Sequence, residues 1–183
     1  MRRAMRKALR ALPAAAGAVA LALLSLDPAV RAADARLLMP VKARPAPPGF
    51  ILPDLGGRPY RLEGMRGHIV VVNFWWTGCP SCLAEMPSLE RLWQSLRDKG
   101  VIVLAIHMGG RLGVVRRYVK RIKASFPVLW DSGRVVSRQW GVQFTPTTMI
   151  IGPDGRLDYI AFGGRVWDNP EIRQAILQLG KRP

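Results

Sequence analysis

Hydrophobic positions along the chain form two different patterns, continuous runs and a helical period, which together predict an α/β fold. Ile69 to Trp75 is a β-branched and aromatic run with one polar residue, typical of a strand buried on both faces. From Leu83 to Leu96, apolar residues recur every three or four positions, predicting a helix that begins near the two cysteines and ends at Gly100. Val101 to Ile106 predicts a second buried strand, so the three elements form a right-handed βαβ unit.

Shorter segments surround this unit. Phe50 to Leu52 and Arg58 to Leu62 flank the turn-forming residues Pro53 to Gly57, which predicts an N-terminal β-hairpin. The remaining predicted elements are a basic amphipathic helix at 113–124, a strand near Val128, a brief helix at 135–140, strands at 147–151 and 157–162, and a helix that begins at Pro170.

The N-terminus has the pattern of a secretory signal peptide over residues 1–32. Residues 1–10 contain five bases and precede an acid-free apolar stretch, 11–26, while cleavage after Ala32 follows the small-x-small rule. The alternative is an uncleaved membrane anchor, but this stretch is shorter than the about 20 residues that span a bilayer comfortably. We expect export to the periplasm, with residues 33–47 as a proline-rich linker and residues 48–183 as one folded domain.

Composition and charge exclude several classes of function. The 183 residues are 49% hydrophobic and 22% charged, which is unlike a disordered chain. A net charge of +16 is compatible with a nucleic-acid partner, but the export signal argues against one, and the basic run from Arg116 to Lys123 has the spacing of a solvated helix face. Two cysteines are too few for a disulfide-dense scaffold or, alone, for a structural zinc site. We expect no cofactor and no resident metal.

The candidate chemistry lies at the two cysteines. Cys79 and Cys82 are separated by two residues where a buried strand gives way to a helix, so their sulfurs can join or separate with little backbone movement. A helix N-terminus stabilises a thiolate and can lower the pKa of a cysteine from about 8.5. We therefore expect a redox-active disulfide, with Cys79 as the attacking nucleophile and Cys82 as the resolving thiol.

Residues from about 46 to 178 resemble the TlpA/ResA-like thiol:disulfide oxidoreductases of the thioredoxin superfamily. The resemblance rests on Pro48 to Gly57, Val71 to Trp75, Cys82-Leu83-Ala84-Glu85-Met86-Pro87 and Phe144-Thr145-Pro146-Thr147-Thr148. It implies a thioredoxin-like fold, in which helices flank a central mixed β-sheet and a β-hairpin precedes it. It also implies a cis peptide bond before Pro146 and a Thr145 backbone that pairs with an extended substrate segment. Without the resemblance, Pro146 would be read as the start of a strand.

Glu85 has two interpretations. An acid in the first turn of a helix is commonly a solvated partner of the helix dipole. The resemblance favours proton handling, because resolution needs Cys82 as a thiolate and a carboxylate of raised pKa can accept its proton. Cytoplasmic-type thioredoxins have a buried acid at the position of Asn73, which cannot titrate. Glu85 is therefore the third catalytic candidate.

The segment before the first cysteine departs from the family pattern. Gly78 stands where the family usually has tryptophan, so a flat aromatic cover is missing there. Trp76, two positions earlier, either compensates as a substrate-binding aromatic or packs inside the fold. We name Trp76, Thr145 and Pro146 as candidate substrate-binding residues.

The predicted function is disulfide exchange on exported protein clients, in the reductive direction. The resemblance implies clients in cytochrome c or copper-site assembly and a membrane thiol carrier of the DsbD/CcdA type as electron donor. The alternative is a Sco-like metallochaperone that holds Cu(I) with Cys79, Cys82 and His107, a histidine that follows a predicted strand. The Sco-like proteins carry C-x-x-x-C, however, and a histidine at the end of a strand is usually just a loop residue, which is the favoured interpretation of His107.

Overall fold

The computed structural model of the protein describes residues 38–181. Its strands are β1 (Met39–Pro40), β2 (Ile51–Pro53), β3 (Pro59–Arg61), β4 (Ile69–Trp75), β5 (Val101–Met108), β6 (Val128–Asp131), β7 (Thr147–Ile151) and β8 (Leu157–Phe162). Its α-helices are α1 (Pro80–Leu96), α2 (Leu112–Ile122), α3 (Val135–Gln139) and α4 (Pro170–Leu179). The predicted signal peptide lies outside the described residues.

Six strands form one mixed sheet in the spatial order β1-β8-β7-β4-β5-β6. The pairs β4–β5 and β5–β6 are parallel, and the other three pairs are antiparallel. Strands β2 and β3 form the predicted hairpin, which contacts the sheet through a bridge between Asp54 and Leu129 of β6. The predicted mixed sheet, flanking helices and N-terminal hairpin are therefore confirmed.

Strand β4 lies inside the sheet between β7 and β5, and all seven of its residues are buried. Successive side chains of a strand point to opposite faces. Ile69, Val71 and Trp75 accordingly pack in a core with α1, α2 and α4, and Val70, Val72 and Phe74 pack in a second core with the hairpin and α3. This two-sided burial explains why the sequence of β4 shows no polar face.

Helix α1 contains a proline in its interior, and a neighbouring helix satisfies the group that it leaves unpaired. Pro87 has no N–H to donate to the carbonyl of Leu83, four residues earlier. The hydroxyl of Tyr118 in α2 donates to that carbonyl at 3.4 Å. Beyond α1 a 3-10 turn leads to Gly100, whose φ of 75° ends the helix as predicted.

Two details differ from the sequence-based expectation. Met39 and Pro40, in the predicted linker, pair with β8 as an edge strand, where a proline is tolerated. His107 lies inside β5 rather than after it, because β5 continues to Met108 by pairing with β6. Within residues 38–181, no helix has the length and hydrophobicity needed to cross a membrane.

Candidate active site

The two cysteines form a disulfide where the chain passes from β4 into α1. Cys79 is the N-cap residue of α1, and its Sγ accepts a hydrogen bond from the backbone N–H of Cys82 at 3.1 Å. In the dithiol state, this N–H and the positive end of the helix favour a thiolate on Cys79. Cys79 keeps 6% of its surface exposed, whereas Cys82 keeps none. Cys79 is thus the more accessible sulfur for an incoming thiol or disulfide.

The loop before β7 lies against the disulfide. The Thr145–Pro146 peptide bond is cis, as the resemblance implies, and the Thr145 carbonyl oxygen lies 3.7 Å from Cys79 Sγ. The backbone N–H of Gly163 donates to the Pro146 carbonyl at 2.9 Å, which connects this loop to the segment after β8. A polypeptide segment that reaches Cys79 therefore passes the backbone of Thr145, an arrangement suited to strand addition.

Glu85 is buried one turn after Cys82 on α1, and side chains three residues apart on a helix are neighbours. Its carboxylate accepts hydrogen bonds from Asn73 Nδ2 at 2.8 Å, Trp167 Nε1 at 3.0 Å and the Arg165 backbone N–H at 3.3 Å. Burial raises the pKa of Glu85, and these bonds, which favour the charged form, oppose the rise only in part. Glu85 is not a solvated partner of the helix dipole.

The sequence did not identify the three residues that surround the Glu85 carboxylate. Asn73 reaches it because strand alternation directs its side chain to the face of the sheet that packs on α1. Its amide also donates to the Thr148 hydroxyl in the neighbouring strand β7 at 2.9 Å. Arg165 and Trp167 reach the Glu85 carboxylate from the loop after β8, which packs on the first turn of α1 at Gly164. The available signal was the pair Gly163-Gly164, since adjacent glycines often mark a close approach of two backbone segments.

The Trp76 indole covers the position that departs from the family pattern. A Cβ atom placed on Gly78 would overlap the six-membered ring of Trp76. Trp76 is 43% exposed, so the ring lies on the surface beside the disulfide and is not part of the core. An aromatic surface is therefore present next to Cys79, although it comes from a residue two positions before Gly78.

His107 is buried with both ring nitrogens engaged. Nε2 accepts from the Thr77 backbone N–H at 3.1 Å, and Nδ1 donates to the Gly109 carbonyl at 2.9 Å. Burial lowers the pKa of His107 to about 4. A neutral imidazole bonded in this way has no free lone pair for Cu(I). Among residues 38–181, no cluster of three or more His, Cys, Asp or Glu side chains could hold a metal ion. The metallochaperone alternative gains no support.

Comparison with known proteins places the chain in a family. Residues 43–160, more than half of the chain, match the AhpC/TSA family. The chain belongs to the AhpC/TSA family. This AhpC/TSA-family chain is similar to the thiol-disulfide oxidoreductase ResA of Halalkalibacterium halodurans, with 36% identity over 115 residues, and to ResA of Bacillus subtilis, with 31% identity over 116 residues. Each match covers 63% of this chain and 65% of the relative, just under two thirds of its length.

A similar solved structure supports the predicted thioredoxin-like fold. It belongs to a Chlorobium tepidum protein with the provisional name thiol:disulfide interchange protein DsbE. The TM-score is 0.67 at 26% identity, and the match covers 73% of this chain and 94% of that chain. The resemblance and the thioredoxin-like fold predicted from the sequence are therefore confirmed.

Proposed function

We propose that this AhpC/TSA-family chain is a thiol:disulfide oxidoreductase that exchanges disulfides with protein clients. The observation that carries the proposal is the Cys79–Cys82 disulfide at the N-terminus of α1, facing the cis Thr145–Pro146 bond. A fold alone does not specify a function, but a thiolate-stabilising helix end beside a backbone docking site fits this chemistry. The names of the two ResA relatives support the same activity.

The proposed reaction consists of two displacements at sulfur. In the reductive direction, the Cys79 thiolate attacks a client disulfide, the client S–S bond breaks, and a mixed disulfide forms as one client thiolate leaves. Cys82 then gives its proton to Glu85 and attacks the Cys79 sulfur. This step closes the Cys79–Cys82 bond and releases the second client thiolate, so two electrons pass to the client. The reverse steps oxidise a client dithiol.

We further infer that the protein acts outside the cytosol as a reductase. The pattern of residues 1–32 supports export, and the resemblance to the TlpA/ResA-like proteins supports the reductive direction. In an oxidising compartment a reductase needs an electron supply, for which a membrane thiol carrier of the DsbD/CcdA type is the proposed donor. Apocytochromes c or copper-site assembly proteins are the proposed clients.

Single cysteine variants test the exchange function and the roles of the two sulfurs. Reduced Cys82→Ser should accumulate a mixed disulfide with a disulfide-bonded peptide, because no second thiol releases it. Cys79→Ser should form little or no adduct, since Cys82 is buried. The measurement is intact mass before and after treatment with dithiothreitol. Equal adduct formation by both variants would contradict the roles, and a wild type that reduces no protein disulfide would contradict the function.

A further inference from the structure

A surface groove of about 390 Å³ lies between the start of α1 and helix α2. Two of its lining residues are close to the redox pair in the sequence: Thr77 is two residues before Cys79, and Leu83 directly follows Cys82. The hydrogen bond from Tyr118 to the Leu83 carbonyl fixes the two helices that form it. The complete lining is Thr77, Leu83, Val114, Arg117, Tyr118 and Arg121.

The groove is basic, and the structure places no carboxylate against its two arginines. The Arg121 guanidinium lies 5.2 Å from the centre of the Tyr118 ring, a stacking contact that leaves its N–H edge free for a carboxylate. Within the part of the chain that the structure describes, neither Arg117 nor Arg121 forms an ion pair. Their positive charge is therefore not neutralised by any carboxylate within residues 38–181.

The surroundings of the redox pair extend this positive surface. Residues 111–123 contain six basic side chains, all exposed, and no acidic one. The segments 132–146 and 162–167, which include the proline loop and the loop after β8, also contain arginine but no aspartate or glutamate. Exposed apolar side chains, Trp76 and Val114 among them, accompany these charges. Such a surface complements a polypeptide segment that is acidic and partly apolar.

We propose that the groove binds an acidic segment of the client, with aspartate or glutamate within a few residues of the reacting client cysteine. The proposal rests on the proposed exchange function and specifies its substrate class. Thr77, which lines the groove, is only two residues from Cys79, and an extended chain covers about 3.3 Å per residue, so a client segment in the groove can reach Cys79 within a few residues. Charge complementarity of this kind mainly raises the association rate and the selectivity for the correct partner.

The test compares two peptides that each contain one disulfide. The acidic peptide has three glutamates beside the reactive cysteine, and the neutral peptide has three glutamines at the same positions. The second-order rate constant for their reduction by the purified, reduced protein is measured at about 20 mM and about 500 mM salt. The groove variant is Arg117→Gln/Arg121→Gln. The matched control is Lys120→Gln/Lys123→Gln, which removes two exposed charges of the same segment that do not line the groove.

We expect the wild type to reduce the acidic peptide about 3- to 10-fold faster at low salt, as two exposed ion pairs, one to each groove arginine, allow. The preference should shrink at high salt, disappear in the groove variant and persist in the control variant. Equal rates for the two peptides would overturn the groove proposal and leave the exchange function intact. Loss of the preference in the control variant would also overturn it, because net charge would then be the cause.

Failure of the exchange function and failure of the groove assignment give different results. If the wild type reduces neither peptide, the exchange function fails, and the groove assignment fails with it. If the peptides react equally, and anionic phosphatidylglycerol vesicles bind the wild type but not the groove variant, the groove belongs to a lipid surface and the proposal is wrong.

Discussion

Burial and hydrogen bonding shift the pKa of the Glu85 carboxyl group in opposite directions. Three N–H donors favour the carboxylate, whereas loss of water favours the carboxylic acid and has the larger effect, so the pKa is raised. Proton transfer is most efficient when the acceptor's pKa lies near the working pH. A glutamate with a raised pKa is therefore a better proton acceptor for the Cys82 thiol than an exposed one.

The variant Glu85→Gln should slow closure of the Cys79–Cys82 bond by about 100-fold and remove the Glu85 ionisation from the pH–rate profile. The fold should persist, because the buried Asn73 Oδ1 lacks a partner and a flipped Asn73 amide would let it accept from the new glutamine. The measurement is the decay of a mixed disulfide by rapid quench across pH. Exposed Glu171→Gln is the matched control. An unchanged profile in Glu85→Gln would rule out the proton role.

The raised pKa of Glu85 should also make the free energy of unfolding depend on pH. Above pH 4.5, the ordinary value, the folded state binds more protons at Glu85 than the unfolded state does. Its contribution to the free energy of unfolding therefore falls as the pH rises from 4.5 through the folded pKa. The fall should be absent in Glu85→Gln, so the stability difference between the two proteins in urea should change with pH. A constant difference would mean that the pKa of Glu85 is ordinary.

His107 should show the opposite dependence on pH. Its pKa is about 4 in the folded protein against 6.5 ordinarily, so the unfolded chain takes up a proton that the folded state excludes. Stability is lost as the pH falls from 6.5 to 4, by up to about 3 kcal/mol. An NMR titration of the ring C–H signals, with His68 assigned through His68→Gln, measures this directly. A midpoint near 6.5 for His107 would contradict the buried neutral ring.

At the level of elements, the loop after β8 is held against the first turn of α1 by close backbone contact. A Cβ on Gly164 would lie 2.9 Å from the Ser81 carbonyl oxygen and 3.2 Å from the Ser81 Cβ. This loop carries Arg165 and Trp167 to Glu85. The geometry of the buried carboxyl therefore depends on a glycine that has no chemistry of its own.

Gly164→Ala should destabilise the protein by about 1–3 kcal/mol, because the added methyl group displaces the loop from α1. The hydrogen bonds from Trp167 and Arg165 to Glu85 should weaken as well. Urea denaturation measures the loss. Gly64→Ala is the control, since a Cβ there would meet nothing within 4 Å. If Gly164→Ala is as stable as the wild type, the described packing is wrong.

Elements with a clear period could be predicted from the sequence, and contacts between distant segments could not. A continuous apolar run predicted β4 and a helical period predicted α1, because burial on both faces of a sheet or on one face of a helix leaves such a pattern. Strand β1 has two residues and no period, and it forms only because β8 offers an open edge. The loop after β8 has no period either, so the contacts of Arg165 and Trp167 with Glu85 were not predictable.

At the scale of the whole molecule, the sheet topology brings the residues of the candidate site together at one end of the sheet. The carboxyl ends of β4, β5 and β8 and the start of β7 lie at the same end of the sheet, because β7 runs in the direction opposite to those three strands. Parallel strands commonly place functional groups at their carboxyl ends. The disulfide, the proline loop, His107 and the loop after β8 thus form one redox face, flanked by basic helix α2.

The most direct measurement is the redox equilibrium of the cysteine pair in the purified protein. The protein is equilibrated in thiol buffers of graded potential, and its free thiols are alkylated and counted by mass. We predict one reversible two-electron transition between disulfide and dithiol, with a midpoint nearer the about −270 mV of thioredoxin than the about −120 mV of DsbA. A pair that stays fully oxidised or fully reduced in every buffer would contradict an exchange function for Cys79 and Cys82.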